Sequence, residues 1–153
     1  MSSSTALLDV DLQPGKPPLL RVSPTRDAPG WAAEHRDALR AVVAEHGAVL
    51  VRGLRLSDPD QVAAVFRELA SELMLDREAF ASRRTYTPGV YSSSTWPPNQ
   101  PMCMHHELSY RLEFPGLMLF ACLVAPTAGG ATGVADAAKV LQALPPDLRE
   151  RFE

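Results

Sequence analysis

The sequence predicts an α+β fold: helices gathered near the N-terminus, then the strands of a sandwich or barrel. Three observations carry that prediction. Apolar residues recur at helical spacing between residues 31 and 73, and β-branched, aromatic and serine residues take over after Phe80. Prolines cluster at 14–30, 88–101 and 145–146, outside the periodic stretches. Proline fixes φ and lacks an N–H, so it punctuates elements rather than filling them. Helices first and strands afterwards is the order of an α+β chain leading into a sandwich or barrel.

Each element has its own local cause. Residues 1–16 are polar, serine-rich and then Pro-Gly, and read as a mobile tail. Leu19-Leu20-Arg21-Val22 reads as a short strand ahead of the turn-rich stretch 23–30. A helix is predicted over 31–46, because Leu39, Val42 and Val43 share one face while Arg36, Asp37, Arg40 and Glu45 fall mostly elsewhere. Gly47 is placed to end it. Val49-Leu50-Val51 is a continuous apolar run, the mark of a strand buried on both faces, and Gly53 closes it.

For the second helix, Asp58 is the cap, Pro59 suits the first position and Gln61 completes a variant capping box. Val62, Val65, Phe66, Leu69 and Leu73 follow as one apolar stripe, read as core packing. Strands are then expected at 84–86, 89–92, 105–110, 117–124 and 132–135. The run 117–124 is the most apolar and reads as a central strand. Ala128-Gly129-Gly130 makes a turn, Asp136 caps a helix over 137–144, and Pro145-Pro146-Asp147 starts a last helical segment.

Bulk properties narrow the function classes. A chain of 153 residues, 46% hydrophobic with net charge -3, suits one soluble domain and gives no reason to expect nucleic acid or an anionic membrane as partner. No apolar run reaches the ~20 residues of a membrane span. The N-terminus lacks the basic and apolar regions of a signal peptide. Cys103 and Cys122 sit in apolar sequence surroundings and read as buried, reduced thiols, which favours the cytoplasm.

The chemistry concentrates at Met104-His105-His106-Glu107. In a strand, His105 and Glu107 leave the same face, so an imidazole and a carboxylate are set side by side to bind one ion. Those two donors, completed by a second imidazole, are the facial triad of non-haem iron(II) oxygenases. His106 faces the other way. Cys103 is not expected to ligate, since such hard sites use nitrogen and oxygen. His35 and His46 read as surface or capping residues. Gly129-Gly130 lacks the Lys-Ser/Thr of a phosphate loop.

Four stretches carry a resemblance: His46-Gly47-Ala48-Val49-Leu50-Val51-Arg52-Gly53, Val90-Tyr91-Ser92-Ser93-Ser94, His105-His106-Glu107-Leu108-Ser109-Tyr110, and Gly129-Gly130-Ala131-Thr132-Gly133-Val134-Ala135-Asp136. In them the sequence resembles the N-terminal half of the taurine dioxygenase superfamily, from about residue 30 to 153. Within it the likeness is to the branch containing clavaminate synthase and the syringomycin-type hydroxylases. The resemblance implies iron(II) bound by His105 and Glu107, 2-oxoglutarate contacted by Thr132, and O2 as second co-substrate. It also implies hydroxylation of an unactivated C–H bond, with glutamate as the acidic ligand pointing to amino acids, free or tethered to a carrier. Arg84, Tyr91, Ser93 and Gln100 lie where family members build part of the substrate pocket. A homo-oligomer is compatible with all of this.

The resemblance also defines what is not found. The family's second iron-binding histidine and its 2-oxoglutarate-binding arginine have no counterpart here, and no histidine follows Glu107. The resemblance implies part of a double-stranded β-helix (jelly roll), incomplete in this chain, since a jelly roll takes about eight strands and this chain offers roughly half. The expectation is therefore that residues 17–153 are the N-terminal half of a dioxygenase domain, a fragment of a longer enzyme that is inactive alone. The competing expectations are a truncated, non-catalytic remnant or binding module of the same fold, and one half of a split enzyme.

Overall fold

A computed structural model describes residues 8–23, 25–75, 82–97 and 99–152. The chain divides into two units, Met1–Gln100 with Pro115–Val124, and Pro101–Phe114 with Ala125–Glu153.

The first unit begins with a strand–helix–strand run. β1 (Leu19–Arg21) and β2 (Leu50–Arg52) pair in parallel, Leu20 opposite Val51, with α1 (Ala28–His46) as the connection between them. Parallel neighbours need such a crossover, because a tight turn cannot reverse the chain direction twice. Asp11, inside the stretch read as a tail, exchanges two backbone hydrogen bonds of 2.9 Å with Leu19. Residues 1–7 of that tail lie outside the described residues.

α1 starts three residues before the predicted boundary. Asp27 accepts a hydrogen bond from the Gly30 N–H at 2.9 Å, and a proline occupies the first turn. Its far end matches the prediction. Gly47 adopts the left-handed conformation at φ 80° and donates its N–H to Val43 O at 2.7 Å. β2 corrects the expectation of a strand buried on both faces: Leu50 is exposed and Val51 half-buried. A two-stranded ribbon has only one neighbour per strand and cannot cover both faces.

α2 (Pro59–Leu69) has the predicted cap. Asp58 accepts from Gln61 N at 2.9 Å, and Gln61 Oε1 accepts from Ser57 N at 3.1 Å. The helix ends at Leu69, four residues before the end of the predicted stripe. Arg40 from α1 donates to Leu69 O at 3.1 Å, satisfying a terminal carbonyl of α2. Between the helices, Ala28 and Ala32 of α1 close on Val65 of α2, with Trp31, Leu56, Phe66 and Leu69 around them. Small residues on α1 let the helices approach, and Val65 is 2% exposed.

β3 (Thr85–Thr87) and β4 (Val90–Tyr91) form close to the strands expected at 84–86 and 89–92, and pair as an antiparallel hairpin. Val90 packs with Val62 and Ala63, and Leu73 and Leu123 join that cluster. Leu123 belongs to the run 117–124, which corrects the expectation of a central strand. Leu117, Leu119 and Leu123 are partly covered, while Met118, Phe120, Ala121, Cys122 and Val124 are exposed, so the alternation of a strand breaks at Ala121. The run lies in no ladder, because no neighbouring strand is present among the described residues.

In the second unit, α3 (Ala137–Ala143) and α4 (Pro146–Glu150) appear where predicted. Asp136 caps α3, accepting from Ala138 N at 3.0 Å and Lys139 N at 3.2 Å. The expected strands at 105–110 and 132–135 do not form; the first is loop leading into a turn, the second loop. A strand is defined by its partner's hydrogen bonds, and these segments meet none. None of the described residues from 101 to 152 is buried. Cys103 and Cys122 are accordingly exposed free thiols, a correction to the buried thiols expected. Apolar neighbours in sequence did not become apolar neighbours in space.

Candidate metal and co-substrate site

His105 and Glu107 come together despite the missing strand. His105 Nε2 stands 3.7 Å from Glu107 Oε2, with the imidazole 52% and the carboxylate 24% exposed. A turn, rather than a pleat, produces the convergence. Leu108 takes the left-handed conformation at φ 55°, and Arg111 N donates to Leu108 O at 2.9 Å.

The other ring nitrogen of His105 is engaged. Nδ1 lies 2.8 Å from the backbone carbonyl of Cys103, a group that only accepts. In the neutral ring this puts the proton on Nδ1 and leaves the Nε2 lone pair directed away, on the side of Glu107. A backbone carbonyl in this role is the usual way a metal-binding histidine has its tautomer and ring plane fixed.

The donor set fits a divalent first-row ion. Nitrogen and oxygen ligands stand about 2.0–2.2 Å from such an ion, so adjacent donors are roughly 3 Å apart and a small side-chain rotation closes the pair. Two donors alone do not enclose an ion. Among the described residues no group of three or more His, Cys, Asp and Glu side chains is gathered to hold one. His106 is exposed. His35 stacks on Trp31, centroids 4.4 Å apart, and points Nδ1 at Trp31 O, 2.8 Å away. His46 lies against Glu45 at the end of α1. Both are engaged within that helix.

Thr132 sits in an exposed loop of the same unit. Gly129 and Gly130 precede it at φ 69° and 70°, a pair of left-handed residues that side chains rarely tolerate. A Cβ on Gly130 would run into the Pro126 ring, so that turn requires glycine twice over. Downstream, a Cβ on Gly133 would stand 2.8 Å from the terminal methyl of Met104. The residue after Thr132 thus lies beside the side chain of the residue before His105. Sequence reading did not single out Met104, since a methionine beside a histidine carries no motif.

The four pocket candidates belong to the other unit and are engaged locally. Arg84 lies over the Tyr86 ring at 5.2 Å, Ser93 O accepts from Ser92 Oγ, Gln100 O accepts from Trp96 Nε1, and Tyr91 pairs with Thr85. A cleft of about 290 Å³ between β1 and α1 is lined by Leu20, Arg21, Trp31 and His35 among others, and contains none of His105, Glu107 or Thr132. No helix among the described residues is long and apolar enough to cross a membrane.

The sequence matches the family described as "Taurine catabolism dioxygenase TauD, TfdA family" over residues 12–153. It is 29% identical over 111 residues to the dapdiamide synthesis protein DdaC of Enterobacter agglomerans, covering 72% of this chain and 34% of that protein. The chain therefore spans about a third of the length of the curated relative it matches. No solved structure gives a significant match.

Proposed function

The chain belongs to the TauD, TfdA family of dioxygenases, and we propose that it contributes His105, Glu107 and Thr132 to an iron(II)/2-oxoglutarate-dependent oxygenase. The observation that carries this reading is the convergence of His105 Nε2 and Glu107 Oε2 at 3.7 Å, with Nδ1 turned to a carbonyl. The family implies a jelly-roll domain, and the mixed helices and small sheets found here are compatible with part of one.

In this reading His105 and Glu107 hold iron(II) on one side, and Thr132 donates one hydrogen bond to a carboxylate of 2-oxoglutarate. Iron with 2-oxoglutarate supplies oxygen activation coupled to loss of carbon dioxide and formation of succinate. The chain's own residues bind and orient; the hard chemistry is the cofactor's. Cys103 O keeps the His105 ring in its ligating tautomer. The substrate is proposed to be an amino acid, free or carrier-tethered, hydroxylated at an unactivated C–H bond. Glutamate as the acidic ligand supports this, being the pattern of the clavaminate-like branch. The relative's description as a dapdiamide synthesis protein is in keeping with it.

A second reading is a non-catalytic module of the same fold: among the described residues no third His, Cys, Asp or Glu side chain joins His105 and Glu107 to hold an ion. Anaerobic iron(II) titration of the chain decides between the two. The oxygenase reading expects weak binding that His105→Ala and Glu107→Ala each abolish, with the circular-dichroism spectrum unchanged. Binding that survives both substitutions sinks the ligand assignment. Succinate is not expected from this chain alone, since two protein donors leave the ion mostly to water.

A further inference from the structure

Thr132 must be held near the metal pair for the proposed function to work, yet little in its own loop holds it. Among the described residues, none of residues 131–135 takes part in a hydrogen bond. Upstream the loop is fixed by the Gly129–Gly130 turn against Pro126, and downstream by the Asp136 cap of α3. The stretch between those two anchors contains Thr132. Its neighbour from the metal-binding segment is Met104, whose methyl lies 2.8 Å from where a Gly133 Cβ would stand.

Met104 itself is 66% exposed, so this is not core packing. An unbranched thioether with three rotatable bonds fits itself to an irregular surface, and a glycine offers the flat backbone it can lie on. Adjacency in sequence completes the link, because Met104 precedes His105 and Thr132 precedes Gly133.

We infer that Met104 is a positioning residue, seating the Thr132–Gly133 backbone beside the His105–Glu107 pair through its contact with Gly133. The inference rests on the metal assignment proposed above. It predicts that removing the methionine side chain frees the co-substrate loop without disturbing the two ligands. A merely structural role would loosen both or neither.

The test uses the whole 153-residue chain, labelled with nitrogen-15, and manganese(II) alone as a paramagnetic probe. Manganese accepts the same nitrogen and oxygen donors, and broadening is visible at low occupancy. In the unsubstituted chain, the amide signals of His105, His106 and Glu107 broaden, and so do those of Thr132 and Gly133. Met104→Ala keeps the first set broadened and loses most of the broadening of the second. Met104→Leu, which restores bulk, restores it. Broadening at Thr132 and Gly133 that persists in Met104→Ala overturns the positioning role and leaves the metal assignment standing. Absence of broadening at residues 105–107 in the unsubstituted chain overturns both. Met104 is exposed, so its substitution leaves no cavity in the core, and the amide spectrum itself reports the fold.

Discussion

Residue 103 contributes to the candidate site through its backbone, and this separates two properties that the sequence alone runs together. The carbonyl of Cys103 meets His105 Nδ1, while its thiol is exposed. Cys103→Ser is therefore expected to leave iron affinity unchanged. Both cysteines should react with a thiol reagent in the native chain; if either reacts only after denaturation, its exposure here is contradicted. Thr132 supplies a single neutral hydrogen bond in the proposed site. Thr132→Val should weaken 2-oxoglutarate binding by about 1 kcal/mol, roughly fivefold in dissociation constant. Calorimetry in the presence of metal measures it, and an unchanged constant would remove Thr132 from the site. His105 and Glu107 were legible as a pair because only two residue types at one spacing were needed. Their route to convergence was not legible, since a strand and a turn can bring the same two side chains together.

The elements that matched the sequence are those whose causes are local. Asp58 and Gln61 reach only the first turn of α2, and Gly47 closes α1 with one bond to Val43. Asp58→Ala should accordingly cost about 1 kcal/mol of stability, read from the midpoint of a urea titration at unchanged slope. The Asp136 cap gives a pH dependence. Hydrogen bonds from the Lys139 backbone, with further help from its side chain and charge, hold the Asp136 carboxyl below the usual aspartate range. A lowered folded value means the cap stabilises α3 above the unfolded value and is lost as pH falls through the folded one. Helical signal from α3 should therefore fade below about pH 4, and Asp136→Asn should flatten that response. The expected strands at 105–110, 117–124 and 132–135 failed for the complementary reason. Their composition is strand-like, but a ladder needs a partner far away in sequence, and no local pattern reports whether one is present.

At the scale of the molecule, burial is concentrated rather than spread. Ala32, Val62, Ala63 and Val65, at the packing of α1 on α2 and of α2 on the hairpin, are among the most buried side chains. From 101 to 152 no described residue is buried, and Tyr110, Leu112, Phe114, Phe120 and Phe152 face solvent. Apolar surface left in water contributes nothing to folding, so the two regions should respond differently to truncation. Val65→Ala removes two buried methyl groups and should cost about 2 kcal/mol. Phe120→Ser changes a side chain that is 72% exposed and should alter stability by no more than about 0.5 kcal/mol. Amide hydrogen exchange tests the division directly. Local opening costs little where few apolar contacts must be broken, and approaches the global value only in the core. Amides of α1 and α2 should exchange slowest, and those of residues 101–136 fastest, with α3 between them because its hydrogen bonds are helical but uncovered. If 101–136 proved as protected as α2, that segment would have to be buried in solution, and the exposed setting of His105 and Glu107 would be wrong. If it exchanges freely, the proposed iron ligands sit on the least protected of the described segments. Metal binding should then slow exchange around residues 105–107 selectively, because an ion that binds only the ordered conformation stabilises it by mass action.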